Sequence, residues 1–157
     1  MLNISIPGFG EVEIRNLILD YNGTIAKDGK VCKDVKEKIK EISKLGINIH
    51  VLTADTNNTV NNELEGLNVN IRILTTSRED IEKKSILMSI GNENSLAIGN
   101  GNNDSLMIKS AKIGIAVIGH EGVSAKLIGE SDIVVNSIMD AFDFIIYPNR
   151  LKATLRT

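Results

Sequence analysis

Apolar and polar positions along this chain switch repeatedly between a run-like pattern and a helical one. Leu2 to Ile6 and Val12 to Arg15 flank Pro7-Gly8-Phe9-Gly10, a hairpin signature. Asn16 to Asp20 is a short apolar run that ends on an acid, the pattern of a buried strand. In Asp34 to Leu45 the apolar residues fall at 35, 39, 42 and 45, one stripe of an amphipathic helix, and Gly46 is placed to end it. Ile47 to Thr53 reads as a strand, Thr56 to Leu67 as a helix and Val69 to Leu74 as a strand. Arg78 to Ile90 reads as a helix stopped by Gly91, and Ser95 to Ile98 as a strand. Then come a helix over Asn103 to Ala111, a strand over Ile113 to Ile118 and a helix over Val123 to Gly129. A strand over Ile133 to Val135 and a helix over Ser137 to Ile146 close the series. Pro148 is expected to break that last helix and leave NRLKATLR as a solvated basic tail.

Alternating β and α segments with short connections predict an α/β fold with a doubly wound parallel sheet. No repeat, low-complexity stretch or composition break divides the chain, so residues 1–157 are expected to form one domain. Hydrophobic residues at 42% and charged residues at 24% are ordinary for a soluble globular chain. With 18 basic against 20 acidic residues and only 3% aromatics, a nucleic-acid partner is not expected. No apolar run approaches the ~18 residues a membrane span needs, and no secretory leader is legible at the start. Cys32 stands alone, which excludes a disulfide within one chain. A cytoplasmic protein is the expectation.

In doubly wound sheets ligands bind beyond the carboxyl ends of the strands. Chemistry-bearing residues cluster there. The first core strand delivers Asp20, with Asn22-Gly23-Thr24 behind it; the next ends at Thr53. Another runs into Gly99-Asn100-Gly101-Asn102-Asn103-Asp104, and the helix before it carries Lys83-Lys84. Two carboxylates, a hydroxyl and a cation at one sheet edge suit phosphoryl transfer to a carboxylate: nucleophile, oxygen ligand, charge neutraliser and metal-binding acid.

DYNGT at 20–24, LTADT at 52–56, Lys83 and GNGNND at 99–104 resemble the four motifs of the haloacid dehalogenase superfamily of phosphohydrolases. GNGNNDSLMIKSAKIGIAV further resembles the phosphorylation domain of P-type ATPases, and LTADTNNT their TGDN segment. The resemblance covers Asn16 to Val135 and is similar to small soluble proteins that carry that domain alone. It implies a haloacid-dehalogenase core without a large cap, a phosphatase acting on a small phosphomonoester, and Mg²⁺ as cofactor. It implies Asp20 as the nucleophile that forms an aspartyl-phosphate. Thr53, Ala54, Lys83 and Asn103 would surround the phosphate; Asp20, the carbonyl of Asn22, Asn100 and Asp104 would hold the metal, with Asp55 a weaker candidate near it. Lys83 is preferred to Lys84 because apolar residues follow it at +3, +4 and +7 (Ile86, Leu87, Ile90), and Lys84 stays the alternative.

Two positions depart from the superfamily's pattern. Asn22 stands where most of its phosphatases carry the acid–base Asp, and Asn100 where an Asp binds the metal. Mg²⁺ favours carboxylates, so two acids predict weak metal binding and slow turnover. Both asparagines precede glycine and are candidates for deamidation, which would restore a carboxylate. A non-catalytic or weakly active domain that binds phosphate or Mg²⁺ is the alternative function. A response-receiver domain is disfavoured because Lys112 precedes its strand instead of following it.

His50, mid-strand, reads as structural, and His120 as a solvated loop residue. Only 28 residues (25–52) lie between Thr24 and Thr53, too few for a pump's nucleotide-binding domain or a large cap. An open site of this kind leaves two expectations: either the substrate is large, or a neighbouring subunit closes the site by self-association into a homo-oligomer.

Overall fold

The computed structural model describes residues 1–55 and 59–157. Strands β3 (Asn16–Asp20), β4 (Asn48–Thr53), β5 (Asn70–Ile73), β6 (Ser95–Gly99), β7 (Ile113–Val117) and β8 (Ile133–Val135) form a parallel sheet in the order β5-β4-β3-β6-β7-β8. Every residue of β3, β6 and β7 is buried, as expected of strands covered on both faces. Alternate residues serve opposite layers. Leu17 and Leu19 point into a core with α1 (Lys33–Lys44), α6 (Ile138–Ile146) and α7 (Pro148–Leu155). Ile18 joins Leu52, Leu87, Met107 and Leu127 in the second core, under α3 (Glu79–Ile90), α4 (Ser105–Ser110) and α5 (Ala125–Glu130). A short helix, α2 (Thr59–Glu63), follows β4 and adds Val60 to the first core.

The hairpin is present as β1 (Leu2–Ile6) paired antiparallel with β2 (Gly10–Ile14). It ends one residue earlier than expected because the N–H of Arg15 donates to the Asn94 carbonyl instead. The helix expected over Thr56 to Leu67 narrows to α2: 56–58 lie outside the described residues, and Gly66 turns at φ +75°. The expected helix over Asn103 to Ala111 starts instead as a 3₁₀ turn, Asn102–Asp104, and becomes α4 only at Ser105. Asp104 tightens that turn by accepting the N–H groups of Asn100 and Gly101.

The carboxyl end departs most from expectation. Pro148 does not leave a solvated tail; it opens α7 at a first-turn position, where proline's missing N–H costs nothing. Leu151 is fully buried against the hairpin and α6, and the N–H of Thr157 donates to the Pro7 carbonyl. Among the described residues no helix is long and apolar enough to cross a membrane. No large cap interrupts the stretch between β3 and β4: it holds a short flap, then α1.

Candidate active site

The strand order reverses between β3 and β6, and the crevice at that switch point is where ligands bind in this architecture. Asp20 is the last residue of β3, in register with Leu52 of β4, so Thr53 lies one residue further along the neighbouring strand. On the other side β6 ends at Gly99 and leads into Asn100. Two glycines let the loops close on each other. Gly23 turns at φ +76°, and a Cβ there would lie 2.3 Å from Asn100 Nδ2. A Cβ on Gly99 would lie 2.5 Å from Asp104 Cγ.

Lys83 joins the parts. Its ammonium donates to Asp20 Oδ1 at 2.6 Å and to Asp104 Oδ1 at 2.7 Å, and the side chain is 1% exposed. Lys84 is exposed on the neighbouring helix face. Asp104, fully buried, takes the Asn100 and Gly101 N–H groups on Oδ2, each at 3.0 Å. Asp20 Oδ2 accepts the Thr24 hydroxyl at 3.0 Å, which also lies 3.3 Å from Asn100 Oδ1.

One ammonium therefore serves two buried carboxylates, and an excess negative charge remains. Burial, and next the charge of Asp104, push the Asp20 carboxyl up to about 7, against the pull of Lys83 and Thr24. Asp104 accepts from three donors and Asp20 from two. Burial pulls the Lys83 ammonium down, but Asp20 and Asp104 outweigh it and raise its pKa above the ordinary value.

The remaining candidates sit around this centre. Thr53 is buried, its Oγ1 accepting the Asp55 N–H at 3.1 Å, and Ala54 beside it is exposed. Asn22 is exposed at the rim. The amide of Asn100 donates to the Gly122 carbonyl at 3.0 Å. Asn103 is turned to α3, where its amide donates to Glu79 Oε2 at 2.6 Å. Glu79 and the Gly122 loop carried no motif, and only the folded arrangement brings them here. His50 is buried within β4, in register with Ile18 and Asn70, and burial, then Arg72, lower its pKa. His120 is exposed. Deamidation is disfavoured at both Asn-Gly pairs, because the attacking nitrogen is tied: Gly23 N–H donates to the Ala26 carbonyl at 2.9 Å and Gly101 N–H to Asp104 Oδ2.

The donors fit a hard divalent cation. Asp20, Asp104, Asn100 Oδ1 and the Asn22 carbonyl would all offer oxygen, and a cation would offset the burial and the Asp104 charge that raise Asp20. Among the described residues no cluster of three or more His, Cys, Asp or Glu is present, so the acidic share of that set is two.

A switch-point crevice with a lysine-bridged carboxylate pair defines a class: an α/β protein with a buried, charged cluster at its strand ends. No model of a known protein family matches the chain. It is 52% identical over 82 residues to Uncharacterized protein MJ0073 of Methanocaldococcus jannaschii, covering 50% of this chain and 88% of that one. A Soluble P-type ATPase-like phosphatase of the same organism is 25% identical over 134 residues; the match spans 81% of this chain but only 49% of that relative. Among solved structures, the cobalt-bound deoxy-D-mannose-octulosonate 8-phosphate phosphatase of Haemophilus influenzae superposes with a TM-score of 0.74 at 15% identity, over 92% of this chain and 94% of that one. The Moraxella catarrhalis 3-deoxy-D-manno-octulosonate 8-phosphate phosphatase, in complex with magnesium and phosphate ions, gives 0.73 at 15%, over 91% and 94%. The chain belongs to the family of MJ0073 and shares the fold of these haloacid dehalogenase-type structures.

Proposed function

We propose that this protein is a Mg²⁺-dependent phosphatase that forms an aspartyl-phosphate on Asp20 and acts on a small phosphomonoester. The observation that carries the reading is the Lys83 bridge, 2.6 Å to Asp20 and 2.7 Å to Asp104. A fixed ammonium at a strand-end carboxylate stabilises charge that develops on a transferring phosphoryl group.

In this reading an Asp20 oxygen attacks phosphorus as the ester P–O bond breaks in line with it. The leaving oxygen takes its proton from water, since the Asn22 amide has none to give. Thr53 donates its hydroxyl proton to a phosphoryl oxygen while its Oγ1 stays held by the Asp55 N–H. Lys83 passes from neutralising the nucleophile to neutralising the phosphoryl oxygens. Water then attacks phosphorus and releases phosphate, again without a side-chain base at position 22. Bound Mg²⁺, held by Asp20, Asp104, Asn100 and the Asn22 carbonyl, would supply charge neutralisation of the phosphoryl oxygens.

The amides at Asn22 and Asn100 favour a second reading, a weakly active domain that holds phosphate and Mg²⁺ without efficient turnover. A screen of phosphomonoesters with Mg²⁺ and with chelator separates the two, using Asp20→Asn as control. Metal-dependent release of phosphate that Asp20→Asn abolishes supports the phosphatase; binding of phosphate and Mg²⁺ with no release supports the second reading.

A further inference from the structure

The flap after β3 covers a cavity of about 300 Å³ beside the nucleophile, on the side of β7 and β8. That is within the ~300–1,000 Å³ of small-molecule pockets. Its walls are Ile25, Ala26, Val35, Ile138 and Met139, and they are mainly apolar. The lining also includes Gly23 and Thr24. Thr24 is the residue whose hydroxyl donates to Asp20, so one side chain belongs both to the cavity wall and to the nucleophile's surroundings.

The cavity is held open by fixed contacts. Lys27 and Lys30 bond reciprocally through their backbones, each at 3.0 Å, and Tyr21 donates its hydroxyl to the Gly29 carbonyl at 2.8 Å. The N–H of Asp28 donates to Glu121 Oε1 at 3.1 Å, tying the flap to the loop after β7. The side chains of Lys27 and Lys30 stand exposed on the rim and make no ion pair among the described residues.

We propose that this cavity receives the organic part of the substrate, and that the substrate is a phosphomonoester with an apolar, ring-sized leaving group. The inference rests on the phosphatase reading above. In an in-line displacement the ester oxygen lies opposite the attacking Asp20 oxygen, so the organic group must pass over the carboxyl edge of the sheet. The other concavity described at that edge, bounded by Ser77, Glu79, Asp80, Asn102, Asn103 and Lys126, is open and polar. Of these two, the flap cavity offers the larger apolar surface to bury. Lys27 and Lys30 share the lining with Glu121, so the apolar wall is what selects the leaving group.

The test compares 1-naphthyl phosphate with methyl phosphate, with Mg²⁺, for the wild-type chain and Met139→Trp. Met139 is half-buried in the cavity wall, and an indole there fills the space. The ratio of kcat/KM for the two esters should fall about tenfold or more, mainly through KM, the size of effect expected from spoiling an apolar pocket. An unchanged ratio in the folded variant, whatever the absolute rates, overturns the proposal. Should Met139→Trp not fold, Met139→Gln keeps the size and adds polarity; the same fall or constancy of the ratio decides. If the wild type turns over neither ester, the phosphomonoester screen decides the phosphatase reading, and the cavity is tested separately by binding. Naphthalene fluorescence then reports binding of 1-naphthyl phosphate to Asp20→Asn. Loss of binding when Met139→Trp is added supports the cavity as its site, and equal binding overturns it.

Discussion

Replacing Asp20 by Asn is expected to stabilise the metal-free protein, and to do so increasingly as pH rises. In the wild type Asp20 shares one ammonium with Asp104, and its carboxyl is pushed up from 3.8 to about 7, first by burial and then by Asp104. A carboxyl that holds its proton more tightly in the fold than in the unfolded chain makes ionisation a cost to folding. That cost is absent below about pH 4, grows between 4 and 7, and is fully present above 7. Between pH 5 and pH 8 it spans about two pKa units, or about 3 kcal/mol at ~1.4 kcal/mol per unit. For a domain of this size that is roughly 6–12 °C in Tm, at ~2–4 °C per kcal/mol. The Asn variant keeps an oxygen for Lys83 and has nothing to ionise. Thermal melts followed by circular dichroism in EDTA, at pH 5 and pH 8, read the effect as the Tm of the variant minus that of the wild type. His50 and Glu63 also titrate differently in the fold, but both are present in each protein and cancel. A difference that does not change with pH, or that shrinks toward pH 8, refutes the reasoning.

Lys83→Met should destabilise by about 3–5 kcal/mol at pH 8, because two buried carboxylates lose their cation, and adding Asp20→Asn should recover part of that; chemical denaturation measures both. Asn22→Asp restores a proton donor at the rim and should raise steady-state turnover ~10²–10⁴-fold in phosphate-release assays. Aged protein should show no mass gain at Asn22 or Asn100 by peptide mass spectrometry, since Gly23 N–H and Gly101 N–H are both engaged.

The layered fold is legible in the sequence because central strands such as β3, β6 and β7 are short, nearly continuous apolar runs and helices such as α1 carry a stripe. Both patterns follow from burial on two faces or on one. The stripe after Lys83 also separates it from Lys84: Leu87, four residues on, is fully buried, and Lys83 enters the interior on the same face. What local pattern misses depends on tertiary partners. Pro148 breaks a helix in its interior but starts one at its first turn, and only the docking of Leu151 on the hairpin distinguishes the two. The turn of Asn103 toward Glu79 and the hold of Gly122 on Asn100 join residues about 20 positions apart that carry no shared motif. The flap cavity draws its walls from Ile25 to Met139, so no window of sequence contains it.

The most direct test of the central claim is to trap the phosphoenzyme. The protein is incubated with acetyl phosphate and Mg²⁺, quenched, reduced with borohydride to convert an acyl phosphate to homoserine, and mapped by peptide mass spectrometry. Conversion at Asp20 alone, lost without Mg²⁺, is the predicted result. Phosphate released from esters with no conversion at Asp20, or at an equal rate by Asp20→Asn, would contradict it.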